Sequence, residues 1–375
     1  MGNKDLDDVR LHTTQAIEAV ERSYGSLSRK KRLIIKAVGC LIFFATGVFT
    51  SNIMNSVPSE GTIEKVAAQP DLPNKCKYRY DRAMEYAIMH ECVFSKGTPS
   101  STKQLIKRIN YCTCALESVQ NKIKEDARDL VKREPLSTLL LNEQILSLDS
   151  FDQMLSVTLS CQLAGEVINR TELQKTFSDI YQKHPEIIMD AARDLRATVL
   201  RDPACTSYLE PLLFFKGFQG LQGYRAAHAL WVENRTFPAK MLQSIISRKF
   251  GMDIPPAAKI GHGLLIDHAT NIVIGETATV GNNVSILHGV TLGGTGNEIG
   301  ERHPKIAAGV MLGAHAQLLG NIHIGEGAKI GAGAVVVDNV PAHTTYAGVP
   351  AVQVGRPHDE MPSFNMQQNF TIDKG

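Results

Sequence analysis

"DIPPAAKIGHGLLIDHATNIVIGETATVGNNVSILHGVTL", residues 253–292, is the stretch that decides the fold. Counting in sixes from Ile254 meets Ile260 and Ile266, and after a two-residue insertion Ile274, Val280, Ile286 and Leu292. Beyond a longer interruption the count resumes at Ile306, Leu312, Leu318, Ile324, Ile330 and Val336. All thirteen positions are Ile, Leu or Val, and the next residue is most often Gly. Neither an α-helix nor an alternating strand repeats every six residues. A parallel β-helix does: each unit makes one flat side of a prism and three units make a coil. The aliphatic residue points inward and a small residue turns the corner. A flexible Gly-rich region would have no reason to hold thirteen aliphatic positions in phase. Flat faces pack side by side, so a homotrimer is the natural closure, with backbone-lined clefts between prisms that suit an extended ligand.

Upstream the period is helical. Leu173, Phe177, Ile180 and Tyr181 form one apolar face, as do Ile188, Ala191, Ala192, Leu195 and Val199 between Pro185 and Pro203. "PLLFFKGFQGLQGYRAAHALW" (211–231) is apolar enough for a buried or subunit-contacting helix pair. The expected fold class is α+β: an α-helical domain at 72–252, a left-handed β-helix at 253–355 and a C-terminal tail at 356–375. Residues 1–71 form an extension in which "RKKR" (29–32) precedes an uncharged stretch, and Pro58, Pro70 and Pro73 mark a linker. Residues 37–57 read either as a membrane anchor or as a buried or partner-binding helix. A cytoplasmic location is expected, with a membrane-anchored or organellar one as the alternative.

The net charge of +2 gives no general reason to expect nucleic acid. Seven cysteines, an odd count without CxxC spacing, point to a reducing compartment. None lies in the C-terminal 170 residues, which excludes a thiol nucleophile there.

Polar breaks in an apolar coil are where chemistry shows. They are Asp253, Asp267–His268, and the insertion "GGTGNEIGERHP" (293–304), which ends on Arg302–His303 before Pro304. Asp253 and His268 fall near one corner, a coil apart. A hydrogen bond between them would orient the imidazole and leave its other nitrogen to take a proton. The fork of Arg302 suits a carboxylate ligand. His262, His288, His315, His323 and His343 are expected to be ordinary surface or core histidines.

At these residues the chain resembles the serine O-acetyltransferases, the hexapeptide-repeat enzymes that open cysteine synthesis. The likeness rests on "LRDPACTSYLEPLLFFKGFQGLQGYRAAHALW", "MDIPPAAKIGHGLLIDHATNIVIGETATV", "SILHGVTLGGTGNEIGERHPKI" and "YAGVPAVQVGRP", and covers about residues 115–358. The resemblance implies transfer of acetyl from acetyl-CoA to the L-serine hydroxyl, without a metal. It implies His268 as general base with Asp253 as its orienting carboxylate. Asp202 and Asp267 would hold the ammonium group, Arg302 the carboxylate, and His303 would stand near the reacting hydroxyl. Gly293, Gly294, Ala332 and Gly333 would line the acetyl-CoA arm. Inhibition by L-cysteine and a dimer of trimers are further implications.

Two departures stand out. Pro255–Pro256 replaces the usual His-Pro, and the chain ends "TIDKG" without the Ile that inserts into O-acetylserine sulfhydrylase, which puts that partner in doubt. A sugar or antibiotic acetyltransferase on the same coil would not need both Asp202 and Arg302 to grip a zwitterion. A zinc lyase of the γ-carbonic anhydrase kind needs histidines spaced to share metal, and no H-x4-H occurs near the repeat. A membrane-tethered scaffold has no chemical reason to keep Asp253, His268 and Arg302.

Overall fold

The computed structural model describes residues 102–369 apart from 166–167 and 297–298, with side chains from Leu116 onward. The segment at 37–57, the linker and the terminal "TIDKG" lie outside the described residues. Among the described residues no helix is long and apolar enough to cross a membrane.

Among the described residues eight α-helices precede the prism: α1 (Thr102–Arg133), α2 (Thr138–Leu141), α3 (Phe151–Leu163), α4 (Arg170–Lys183), α5 (Glu186–Arg201), α6 (Leu209–Leu213), α7 (Lys216–Val232) and α8 (Thr236–Phe250). Their limits follow from local chemistry. The Asn169 side chain accepts the Glu172 N–H at 2.9 Å and caps α4, whose Leu173, Phe177, Ile180 and Tyr181 are all buried. α5 starts just after Pro185 and stops just before Asp202–Pro203. α8 ends on Gly251, whose φ of 70° is open to glycine and turns the chain into the first strand.

α7 is buried on nearly every side, which explains its unbroken apolar run. Gly217 makes the closest approach: a Cβ there would stand 2.0 Å from the Ile266 carbonyl oxygen. Gly217→Ala is therefore expected to push α7 off the prism and to destabilise the fold by about 1–3 kcal/mol. Urea unfolding checks this, and an unchanged midpoint would refute the contact.

The strands form three sides. The first side runs β1 (Met252–Asp253), β4 (Ile272–Ile274), β7 (Thr291–Gly293), β10 (Gln317–Leu319), β13 (Val335–Val336). The second runs β2 (Lys259–Ile260), β5 (Thr279–Val280), β8 (Lys305–Ile306), β11 (His323–Ile324). The third runs β3 (Leu265–Ile266), β6 (Ser285–Ile286), β9 (Met311–Leu312), β12 (Lys329–Ile330), β14 (Thr345–Gly348), and closes with antiparallel β15 (Ala351–Gly355). The remaining pairings are parallel and in register, so aliphatic residues stack as Ile274–Leu292–Leu318–Val336 and Ile266–Ile286–Leu312–Ile330. This is the expected left-handed β-helix of hexapeptide repeats behind a helical domain.

Twelve of the thirteen aliphatic positions are buried, and Ile260 is partly buried against the same core. A second inward row lies two residues before each: Ala258, Leu264, Ala278, Val284, Val310 and Ala328 are all at most 1% exposed. The count in sixes did not reveal this row, because its members alternate between small and branched residues.

What points outward differs by side. The second side presents Lys259, Thr279, Lys305 and His323, a row suited to water. The third presents Leu265, Ser285, Met311, Lys329 and Thr345, and all five are buried by the chain itself. The first presents Val273, Thr291, Gln317 and Val335 above Asp253, with little charge.

An ionic network fastens helices to prism. Buried Asp194 accepts from Arg225 Nε at 2.9 Å, Arg225 Nη2 at 2.7 Å, Gln222 Nε2 at 3.0 Å and the Leu264 N–H at 3.0 Å. Arg225 also donates to the Gly261 carbonyl at 2.7 Å. A buried charge is tolerated only when it is paired and hydrogen-bonded throughout, and this one is. The network fixes α5, and with it Asp202 just past its end, against the turn between β2 and β3.

Candidate active site

The two-residue insertion after Ile266 makes an unusual turn. His268, Ala269 and Asn271 have φ of 58°, 58° and 59°. The Ala269 N–H bonds to the Asp267 carbonyl and the Thr270 N–H to the His268 carbonyl, both at 2.7 Å. Left-handed backbone at non-glycine residues stores strain and gathers at functional sites. Its effect is to throw the His268 side chain outward, 75% exposed, at the corner between the third and first sides.

Asp267 is half-buried beside it, with its Oδ1 3.5 Å from His268 Nε2. Burial raises the Asp267 pKa; the His268 charge pulls it down and the nearby Asp202 carboxylate pushes it up again. Asp202, at the end of α5, turns its own Oδ1 back to the Ala204 N–H at 2.9 Å. Two carboxylates share this corner, and a cation placed between them would relieve their repulsion.

The expected hydrogen bond between the His268 imidazole and the Asp253 carboxylate is not made in this chain. Asp253 lies on the outward row of the first side, and its Oδ1 accepts from Gln243 Nε2 of α8 at 2.8 Å. Gln243 had no sequence signal: it is a polar residue on an amphipathic helix, and only the docking of α8 aims it at Asp253.

Arg302 and His303 are elsewhere. Their loop folds back on the corner between the first and second sides, where the Arg302 N–H donates to Thr277 Oγ1 at 3.1 Å. Arg302 Nη2 holds Glu276 Oε2 at 3.0 Å. His303 is 8% exposed and lies flat over Gly275, where a Cβ would stand 1.9 Å from its ring. The Thr277 N–H donates to His303 Nδ1 at 3.2 Å, so Nδ1 accepts and the proton sits on Nε2. Burial, with help from Arg302 and Lys305, holds its pKa below the usual value. His303 thus offers a neutral N–H donor. Glu276 and Thr277 follow Gly275 at an ordinary corner of the repeat, and nothing in the spacing marked them.

The candidate residues therefore form two groups on one chain. Asp202, Asp267 and His268 share one corner, with Ala332 and Gly333 three coils further along it, both exposed. Arg302, His303, Gly293 and Gly294 share the other, and Gly294 faces His303 Nε2. A whole side of the prism separates them, roughly 15 Å by strand rise. His288 and His315 follow along the first corner edge to face, with ring centroids 5.9 Å from His268 to His288 and 4.9 Å from His288 to His315. His262, packed at the helix–prism junction, is driven by burial down to a pKa of about 4 and stays neutral.

Comparison with known proteins matches this arrangement to a family. Residues 119–223 fit the family model described as serine acetyltransferase, N-terminal, and residues 303–338 the bacterial transferase hexapeptide model of six repeats. The serine acetyltransferase of Escherichia coli K12 is 48% identical over 255 residues, spanning 68% of this chain and 93% of its own. The chain belongs to the serine acetyltransferase family. It is an acyltransferase.

Solved structures agree. A serine acetyltransferase in complex with cysteine shares 46% identity at a TM-score of 0.67, covering 68% of this chain and 99% of its own. The soybean serine acetyltransferase complexed with serine shares 48% at a TM-score of 0.63, covering 64% and 99%. The Brucella abortus serine acetyltransferase in complex with coenzyme A shares 41% at a TM-score of 0.63, covering 64% and 96%. Residues before 119 precede the matched family models.

Proposed function

We propose that this family member transfers acetyl from acetyl-CoA to the hydroxyl of L-serine, giving O-acetyl-L-serine and CoA, and is inhibited by L-cysteine. The observation that carries the reading is the charge at the two corners: a carboxylate pair at one and an arginine with a neutral imidazole donor at the other. The ammonium and carboxylate of an α-amino acid share one carbon, so two corners a full side apart on one prism cannot hold both. Two prisms packed with the first corner of one against the second corner of its neighbour can. The reading therefore includes a homotrimer, or a dimer of trimers, with a site at each junction.

In that cleft Asp202 and Asp267 take the ammonium and Arg302 exchanges Glu276 for the substrate carboxylate. His268 then faces the serine hydroxyl and removes its proton as the oxygen attacks the thioester carbonyl; the C–S bond then breaks and the imidazolium returns the proton to the departing CoA sulfur. Asp253, once released by Gln243, is the carboxylate placed to steady the imidazolium. His303 Nε2–H serves as a donor near the reacting oxygens, and backbone N–H groups of the cleft take the charge on the thioester oxygen. The CoA arm runs between Gly293–Gly294 of one prism and Ala332–Gly333 of the next. Cysteine differs from serine only at the side-chain atom, so it fits the same grip. The solved relatives bound to serine, cysteine and coenzyme A support these three ligands.

The test is thiol release from acetyl-CoA by the purified enzyme with a panel of amino acids and sugars. Serine is expected to exceed every sugar by at least about 100-fold in kcat/KM, since a grip left with unpaired charges rejects poorly matched substrates. Cysteine should compete with serine. A preferred sugar acceptor would sink the assignment.

A further inference from the structure

The buried third side of the prism holds a second feature. Residues 356–369 turn back from β15 along this side: Met361 lies against Gly309, the Ser285 hydroxyl donates to the Ser363 carbonyl at 2.8 Å, and the Phe364 ring sits 4.6 Å from the Arg201 guanidinium. Beneath this segment is a cavity of about 370 Å³.

Its floor contains a buried ammonium with one neutral partner and a buried hydroxyl with none. Lys329 is 4% exposed, and its ammonium donates to the Asn369 carbonyl at 2.7 Å with no carboxylate paired to it among the described residues. Burial lowers its pKa. Thr345 is 1% exposed, and its hydroxyl has no hydrogen-bond partner. The two residues are register partners on β12 and β14, so their side chains stand next to each other on one face. Arg356 and His358 line the same cavity from its exposed side. The acid there, Asp359, is held by the Asn365 amide.

An ammonium buried against a single neutral carbonyl is unfavourable, and so is a buried hydroxyl without a partner. One anion between them would satisfy both. Its oxygens must point to the floor and to the mouth at once, which a tetrahedral group does and a planar carboxylate does not. We propose that this cavity binds a phosphate group, as inorganic phosphate or as a small phosphomonoester, between Lys329 and Thr345 on the floor and Arg356 and His358 at the mouth. The site stands on the third side and does not depend on the acetyl-transfer reading.

Isothermal titration of the full chain with inorganic phosphate tests this, at constant ionic strength and with saturating CoA so that any phosphate pocket for CoA is filled. Saturable binding at one site per chain is expected. Lys329→Met should weaken it about 10–100-fold and Thr345→Val about 5-fold, with serine acetylation unchanged in both as a check on folding. A parallel titration with glycerol phosphate identifies the source by which arm binds tighter. Absence of binding, displacement by CoA, or undiminished binding to the Lys329→Met protein would each overturn the proposal.

Discussion

Replacing His268 with Ala is expected to lower turnover of serine by about 10²–10⁴-fold, the range set by loss of a general base. The KM for acetyl-CoA should stay within about twofold, because in the proposed mechanism the imidazole acts on the hydroxyl and not on the CoA arm. In the proposed mechanism His268 is suited to this task because its strained turn sets it outward, outside the sealed core. His303 is unsuited, since its Nδ1 is occupied by the Thr277 N–H and its Nε2 already carries the proton. Steady-state kinetics with sedimentation of the variant makes the check. Turnover within tenfold of the unmodified enzyme, in an intact oligomer, would remove His268 as the base.

The second large effect concerns two inactive proteins mixed together. His268→Ala damages only the first corner and Arg302→Ala only the second. If each site is built from the first corner of one prism and the second of its neighbour, co-refolded subunits regain activity. In a randomly assembled equimolar trimer a site needs one subunit of each kind in the right order, so about a quarter of the sites are intact. Recovery of about a quarter of normal activity is therefore expected, against near-zero activity for either protein alone. No recovery from demonstrably mixed trimers would show that both corners act within one chain, contrary to the distance between them.

Asp253 shows how far linear reasoning reached. Its place beside the first corner was legible from the phase of the repeat, since Asp253 precedes Ile254 by one residue and His268 lies one coil on. The hydrogen bond between them was not obtained, because Gln243 arrives from α8 and occupies the carboxylate. Periodicity carries no information on where a neighbouring helix will set its side chains. Glu276 was missed for a related reason: its worth depends on a loop that returns from 26 residues further along the chain.

The linear pattern alone was enough to predict the prism and to single out its candidate chemical residues. A six-residue period states which way each side chain points, and a short-range rule of that kind survives without knowledge of anything distant. It also marked Asp267–His268 and Arg302–His303, because ionisable residues in insertions break the rule where an apolar interior would forbid them. Which corner each group occupies, their separation by a full side, and the sealing of the third side by helices and the returning C-terminal segment emerge from the assembled fold. Those outcomes depend on how insertions of different length are taken up in the coils and on how buried Asp194 and Arg225 lock α5 and α7 to the prism. They are sums over contacts between residues far apart in the chain, which no local pattern records.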